Sequence, residues 1–308
     1  MKLNKCLLAT VLVVAPIFAF ADYRAEIGAE LGITKVETDY ERDLQGDVEQ
    51  DVTTKYSQVQ AVVYLTPVVT GKDPLAEAAF VGKNSSVGIT SSRDSVEVEN
   101  DNYFSDFDYD DDIKTLRGHF VVPAGIDLIF DLGAGRGDFD ETDIDTRSLG
   151  VGAYITPTSS VTLEYTKEDH DTDGFEFDYK YWTLASHNLL PLREFLGLAF
   201  EPRLTVYDYD NDTDLTELGL KAVLYVNRQL GMYLDIVASI LENNDETDEE
   251  SVRALSRIGV DYFVNEQVRV GAALISVSGA SEYYLPTSGD VDTETTGHGI
   301  EVNAAVRF

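Results

Sequence analysis

The sequence predicts an all-β fold: an antiparallel, up-and-down transmembrane β-barrel of about 14 strands. Three observations carry that expectation. Apolar residues alternate with polar ones at period two, in runs that recur roughly every twenty residues. The connections between runs are short turns and long acidic stretches in alternation. The first residues read as an export signal. Twelve or sixteen strands stay open, because residues 68–100 are the hardest part of the chain to divide.

Residues 1–21 are expected to be a signal peptide and residues 22–308 the barrel. Lys2 and Lys5 form a basic start, Leu7 to Phe20 an apolar core, and Ala19-Phe20-Ala21 a small-x-small cleavage site. The apolar stretch is too short for a membrane anchor and Pro16 interrupts it. Cys6 precedes the apolar core, where a lipoprotein cysteine does not sit, and the rest of the chain has no cysteine. That suits passage through an oxidising periplasm. Strands are expected at Tyr23–Thr34, Tyr56–Leu65, Ser85–Ser92, Lys114–Val122, Ile126–Gly137, Arg147–Ile155 and Val161–Lys167. The series continues with Phe175–His187, Phe195–Tyr207, Leu215–Val226, Met232–Leu241, Arg253–Val264, Val268–Val277 and Gly299–Phe308. Ser85–Ser92 is the least apolar, with a continuation through Glu99 left open. In the last run Ile300, Val302, Ala304, Val306 and Phe308 share one side, as a lipid-facing strand requires. By the same logic Phe175, Phe177, Tyr179 and Tyr181 are read as one outward face.

Charge bounds the function. The net charge of −33 excludes nucleic-acid binding as the default, since phosphate needs Lys and Arg. No later segment offers the ~20 uncharged residues of a membrane helix. A halophilic soluble protein, a divalent-cation binder and a cation-attracting surface remain, and the placement of the acid separates them. Residues 37–55, 93–112, 138–146, 167–174, 208–216, 242–251 and 279–297, all after odd strands, hold 39 Asp and Glu against four basic residues. Strands and short turns are left balanced, so the acid is expected on one rim. Pro123-Ala-Gly125, Thr156-Pro-Thr-Ser159, Asn227-Arg-Gln229 and Asn265-Glu-Gln267 are turn residues of the other rim.

With the apolar faces turned to lipid, the interior is expected to collect Arg24, Glu26, Glu30, Arg117, His119, Asp127, Asp131, Arg147, Glu164, Asp178 and Lys180. Later strands add Glu201, Arg203, Lys221, Asp235, Arg257, Asp261, Arg269, Glu301 and Arg307. Opposed charges across a water-filled bore select ions; the same residues also suit a salt-bridged plug. The mixed aromatic and acidic stretch Tyr103, Phe104, Asp106, Phe107, Asp108, Tyr109 and Asp110 is read as a constriction or a lid. Asp208, Asp210, Asp212 and Asp214 are oxygen-rich enough for a loose Ca²⁺ or Mg²⁺ site, although Thr213 and Gly219 stand where an EF-hand needs glycine and glutamate. The same acids suit bridging to lipopolysaccharide through divalent ions. No GxSxG is present, and His170 and His298 are the only histidines placed for chemistry at the outer rim. The chain is therefore expected not to be an enzyme. Residues 68–84 are the one long connection at the inner rim, and Leu75 to Val81 is expected to plug, line or brace the opening.

Lys72-Asp-Pro-Leu-Ala-Glu-Ala-Ala-Phe-Val-Gly-Lys-Asn-Ser-Ser-Val-Gly88 is similar to the Gly-Pro-x-Ala-Glu-Ala-Ala-Phe stretch of the general porins of Gram-negative bacteria, with Asp73 in place of the usual glycine. The resemblance implies an outer-membrane channel, commonly a homotrimer, set among outer-membrane lipids. It also implies that Phe308 is the signal read by the barrel assembly machinery. The expected function is passive diffusion of small hydrophilic solutes with a preference for cations. The rivals are a non-conducting barrel acting as an adhesin or surface protein, and a rim enzyme.

Overall fold

The computed structural model describes residues 22–42, 48–100, 107–139, 142–172, 175–192, 196–209, 213–243, 249–285 and 289–308. The expected signal peptide lies outside them. Fourteen antiparallel strands close a barrel in which each strand pairs with its sequence neighbours and β1 pairs with β14. They are β1 (Asp22–Arg42), β2 (Val48–Val69), β3 (Ser86–Asn100), β4 (Phe107–Ala124), β5 (Ile126–Phe139), β6 (Thr142–Thr156) and β7 (Ser159–Thr172). The others are β8 (Phe175–Leu190), β9 (Gly197–Tyr209), β10 (Thr213–Tyr225), β11 (Leu230–Asn243), β12 (Glu249–Phe263), β13 (Val268–Leu285) and β14 (Gly289–Arg307). The uncertain third strand runs to Asn100, past the continuation left open in the sequence.

Large apolar side chains mark the lipid face. Val63, Leu65, Ile89, Leu116, Leu132, Leu149, Ile155, Ile258, Leu274 and Ile300 all expose about half of their surface or more, each on the alternation that turns away from the bore. Hydrocarbon replaces water there, so no polar residue is needed to cover them.

The described parts of the acidic stretches are strand rather than loop. Residues 37–42 and 48–55 belong to β1 and β2, and residues 93–100 and 107–112 to β3 and β4. Beyond the membrane the two faces exchange polarity while the alternation continues. Val48, Val96, Val98, Ile144 and Val291 turn inward and are buried, while Glu37, Asp39, Asp51, Glu97, Asp110 and Asp143 turn outward and are exposed. The outer surface now meets water, so the carboxylates belong there and β-branched side chains pack within. Cross-strand hydroxyl pairs add to the inner side: Thr38 with Thr295 at 3.2 Å, Thr142 with Thr172 at 2.6 Å and Ser281 with Thr293 at 2.6 Å. The described carboxylates on the outer face form a sleeve around an extended barrel.

The inner-rim turns follow the sequence closely. Gly125 adopts φ +83° between β4 and β5, a value that L side chains avoid. Asn227 Oδ1 accepts from the N–H groups of Gln229 and Leu230 at 2.8 and 3.0 Å, and Asn265 Oδ1 does the same for Gln267 and Val268 at 2.8 and 2.9 Å. The seam closes with a β-bulge: the N–H groups of Arg24 and Ala25 both donate to Phe308 O, at 2.5 and 3.1 Å. Two residues opposing one reverse the alternation, so Tyr23 is buried and Arg24 is exposed. Phe308 itself is exposed on the lipid side of that seam.

Candidate functional site: the barrel interior

Residues 70–84 do not hang from the rim. Leu75–Glu77 form one 3-10 turn that runs into α1 (Ala78–Val81), a single helical turn. Leu75, Glu77 and Ala78 are buried. The tethers of this segment reach strands on every side of the barrel. Glu77 accepts from the Tyr225 hydroxyl of β10, and its Oε2 lies 2.7 Å from Nε2 of His187 in β8. Leu75 O accepts from Arg307 Nη1 of β14 at 2.8 Å, and its N–H donates to Arg228 O at 2.9 Å. Tyr154 of β6 donates its hydroxyl to Phe80 O at 3.1 Å, Lys83 pairs with Asp127 of β5, and Asn84 Nδ2 donates to Thr66 Oγ1 of β2 at 2.8 Å. A segment held from β2, β5, β6, β8, β10 and β14 lies across the bore.

Two features lock its end. Lys83 takes φ 51°, left-handed backbone for a non-glycine residue. A Cβ on Gly82 would stand 2.3 Å from Asn84 Oδ1 and 3.0 Å from Ala78 O, so only glycine fits the final turn. Apolar packing supplies the rest. Ala76 and Val81 pack on Leu189, Ala199, Val223 and Tyr225, while Ala78 packs with Tyr23 and Val68. Space remains beside the segment. A cavity of 440 Å³ borders Phe80, His119, Glu201, Arg203 and Lys221, and another of 270 Å³ borders Glu77, Asp261 and Arg269.

Most of the expected interior residues face inward. His119 Nδ1 meets Asp131 at 2.7 Å, and His187 Nδ1 lies 3.3 Å from Glu201. Arg257 reaches Asp235 at 3.7 Å and Glu301 at 3.6 Å, and Arg269 reaches Glu26 at 3.9 Å. Arg307 Nε donates to Glu26 at 2.6 Å, and its guanidinium lies 4.6 Å from the ring centres of Tyr23 and Phe263. Asp127, Glu30, Arg117, Glu164, Arg203, Lys221 and Asp261 share the inward alternation of their strands.

Four residues do not. Arg24 is carried outside by the bulge. Arg147 shares a face with the exposed Leu149 and Val151, and Asp178 and Lys180 share one with the exposed Trp182 and Leu184. Lipid fixes the face of a strand inside the membrane, and the alternation then continues unchanged into water. On β8 this turns Phe177, Tyr179 and Tyr181 inward, opposite to the sequence expectation. The Tyr181 hydroxyl donates there to Glu168, and that of Tyr207 on the neighbouring β9 to Glu217, both at 3.0 Å. Trp182 was the available signal, because an indole at the membrane edge outranks tyrosines beyond it.

The expected constriction changes as well. Tyr103, Phe104 and Asp106 lie outside the described residues, as does the Phe107 side chain. Asp108 and Asp110 are outward residues of β4, and Tyr109 faces inward against Phe139 with ring centres 4.8 Å apart. The described part of that stretch is strand, so the segment crossing the bore is 70–84 instead. Asp210 and Asp212 also lie outside the described residues, and Asp208 and Asp214 oppose each other on the outer surface. A closer carboxylate group, Glu37, Asp39 and Glu49, brings its oxygens within 4.8 Å of one another on the exposed sleeve. Of the rim histidines, His170 stacks on Phe177 at 4.9 Å, whereas His298 faces outward opposite Lys35.

The chain is similar to several solved outer-membrane proteins. The outer membrane protein Omp33 of Acinetobacter baumannii is similar over 94% of this chain and 99% of its own, with 18% identity and a TM-score of 0.48. A FadL homologue of Pseudomonas aeruginosa is similar over 92% of this chain and 90% of its own, with 10% identity and a TM-score of 0.46. OmpT of Vibrio cholerae is similar over 95% and 99%, with 12% identity and a TM-score of 0.41. No curated protein matches the chain in sequence. The family described as "Putative general bacterial porin" matches residues 36–308. With nearly every described strand inside that match, the chain belongs to this porin family and is a channel-type protein of the Gram-negative outer membrane.

Proposed function

We propose that this porin passes small hydrophilic solutes by diffusion and prefers cations, through a bore narrowed by residues 70–84. The observation that carries the reading is the segment itself. It is tethered to strands around the circumference, yet ionisable side chains border the space beside it. A narrow, charged, water-filled path is what ion selection requires. Inward acids outnumber inward bases, and the acidic sleeve adds a negative potential at the outer end. That potential acts from the outside of the wall, so it weakens within roughly 10 Å at 0.1 M salt.

Single-channel conductance of the refolded protein tests the reading. Steady unitary currents, enlarged in a Glu77→Ala variant, are the expected result. A second reading, a closed barrel working through its surface, is favoured by the burial of Val48, Val98 and Val291 inside the outer extension. An electrically silent but heat-modifiable barrel would decide for it.

A further inference from the structure

The outer face of the barrel carries a row of basic residues that the pore does not use. Each strand from β1 to β8 contributes one: Lys35, Lys55, Arg93, Lys114, Arg136, Arg147, Lys167 and Lys180, in strand order. All sit at one level. Lys35 is two residues beyond Ile33, Lys114 two beyond Leu116, Arg147 two beyond Leu149 and Lys180 two beyond Trp182, each of these apolar residues being exposed to lipid. On the intervening strands the basic residue stands four beyond Val59, Ile89, Leu132 and Leu163. The rings of Tyr165 and Trp182, 4.9 Å apart, lie next to Lys167 and Lys180 on the membrane side. Aromatic pairs of this kind mark the headgroup level. Strands β9 to β14 put no Lys or Arg on their outer faces, since Arg203, Lys221, Arg253, Arg257, Arg269 and Arg307 all turn inward.

The row is placed against its own repulsion. Lys114 stands directly opposite Arg136, Arg147 opposite Lys167, and Lys167 opposite Lys180. Like charges so placed destabilise a strand pair. Some of the cost is offset on the protein. Lys55 pairs with Glu97, Arg93 with Asp110, Arg136 with Asp143 at 3.3 Å, and Asp178 lies 3.0 Å from Lys167 and 3.3 Å from Lys180. The pairs of Lys55, Arg93 and Arg136 are exposed and hold their partners weakly. Lys35, Lys114 and Arg147 have no ion pair among the described residues. An acidic chain that keeps adjacent cations at the headgroup level, along about 35 Å of strand spacings, offers a receptor for anions embedded in the membrane surface.

We infer that the outer face of β1–β8 binds the phosphate groups of lipopolysaccharide, with Lys35, Lys114 and Arg147 as the vacant anchors between the paired ones. This contact is direct and differs from divalent bridging through the sleeve. Native mass spectrometry of the full barrel in detergent, with bisphosphorylated lipid A, monophosphorylated lipid A and phosphatidylglycerol as probes, tests it. The wild type is expected to retain bisphosphorylated lipid A most strongly, with EDTA present or absent. A Lys35→Gln, Lys114→Gln, Arg147→Gln variant is expected to bind it at least about tenfold more weakly. An Arg203→Gln, Lys221→Gln, Arg253→Gln variant, with the same charge removed from inside, should bind as the wild type does. Heat-modifiability on gels shows that each variant is folded. Equal retention of phosphatidylglycerol, loss of lipid A on chelation, or equal weakening by the inner variant would each overturn the assignment.

Discussion

At the scale of single residues, Glu77 holds the segment to the wall. It is buried, and its carboxylate is met by Tyr225 from one strand and His187 from another. Removing it takes the partner from the Tyr225 hydroxyl and from His187 Nε2, His187 keeping only Glu201, which costs on the order of 3 kcal/mol. Glu77→Ala should lower the unfolding free energy of the refolded barrel, read from its urea titration, by that amount and raise its conductance; an unchanged free energy would show that Glu77 does not hold the segment. A second residue pair sits in the sleeve, above the membrane. Asp94 of β3 faces Asp111 of β4 on the inner side, and each has an oxygen buried without a partner. Burial and then Asp111 raise the Asp94 carboxyl above its ordinary range, and burial with Asp112 and Asp138 raises Asp111. Because the folded values exceed the unfolded ones, the penalty is absent below the unfolded value and grows as pH rises through the folded one. Amide protection factors in the outer parts of β3 and β4, which are corrected for the intrinsic slowing of exchange in acid, should therefore rise as pH falls from 7 toward about 4, and Asp94→Asn should flatten that dependence. Protection that falls on acidification would contradict the buried pair.

At the scale of elements, the segment 70–84 and the strand extensions were legible to different degrees. The segment stood out in sequence as the one long inner-rim connection, with Leu75 to Val81 apolar enough to need cover. Its path was not legible, because His187, Tyr225 and Arg307 belong to strands more than a hundred residues away. The extensions were hidden by composition. Glu37, Asp39, Glu97 and Asp110 read as loop because acid and strand rarely coincide, yet Val48, Val96, Val98 and Val291 alternate with them at period two. The same oversight put Arg147, Asp178 and Lys180 inside the barrel. Their strands keep the face that Leu149 and Trp182 set in the membrane, and charge does not alter the alternation. Replacing Leu75–Val81 by a Gly-Ser linker of equal length should leave a heat-modifiable barrel with a larger conductance. A barrel that no longer folds, or one that conducts as before, would show that the segment braces the wall without narrowing the bore.

At the scale of the whole molecule, three layers of charge are stacked along the barrel. The interior holds paired acids and bases, the membrane edge of β1–β8 holds a basic row, and most of the described carboxylates of the extension lie on its outer surface. Sequence arithmetic located that excess at one rim but assigned it to the mouth. The structure puts much of its described part on the outside of the wall, which makes its effect on the bore indirect and sensitive to salt. The reversal potential under a KCl gradient in a planar bilayer reads this most directly. The account predicts a conducting channel whose reversal potential has the cation-selective sign at about 0.1 M KCl and shrinks toward zero near 1 M, where the screening length falls to ~3 Å. A silent barrel, an anion-selective sign, or a potential indifferent to salt would contradict it.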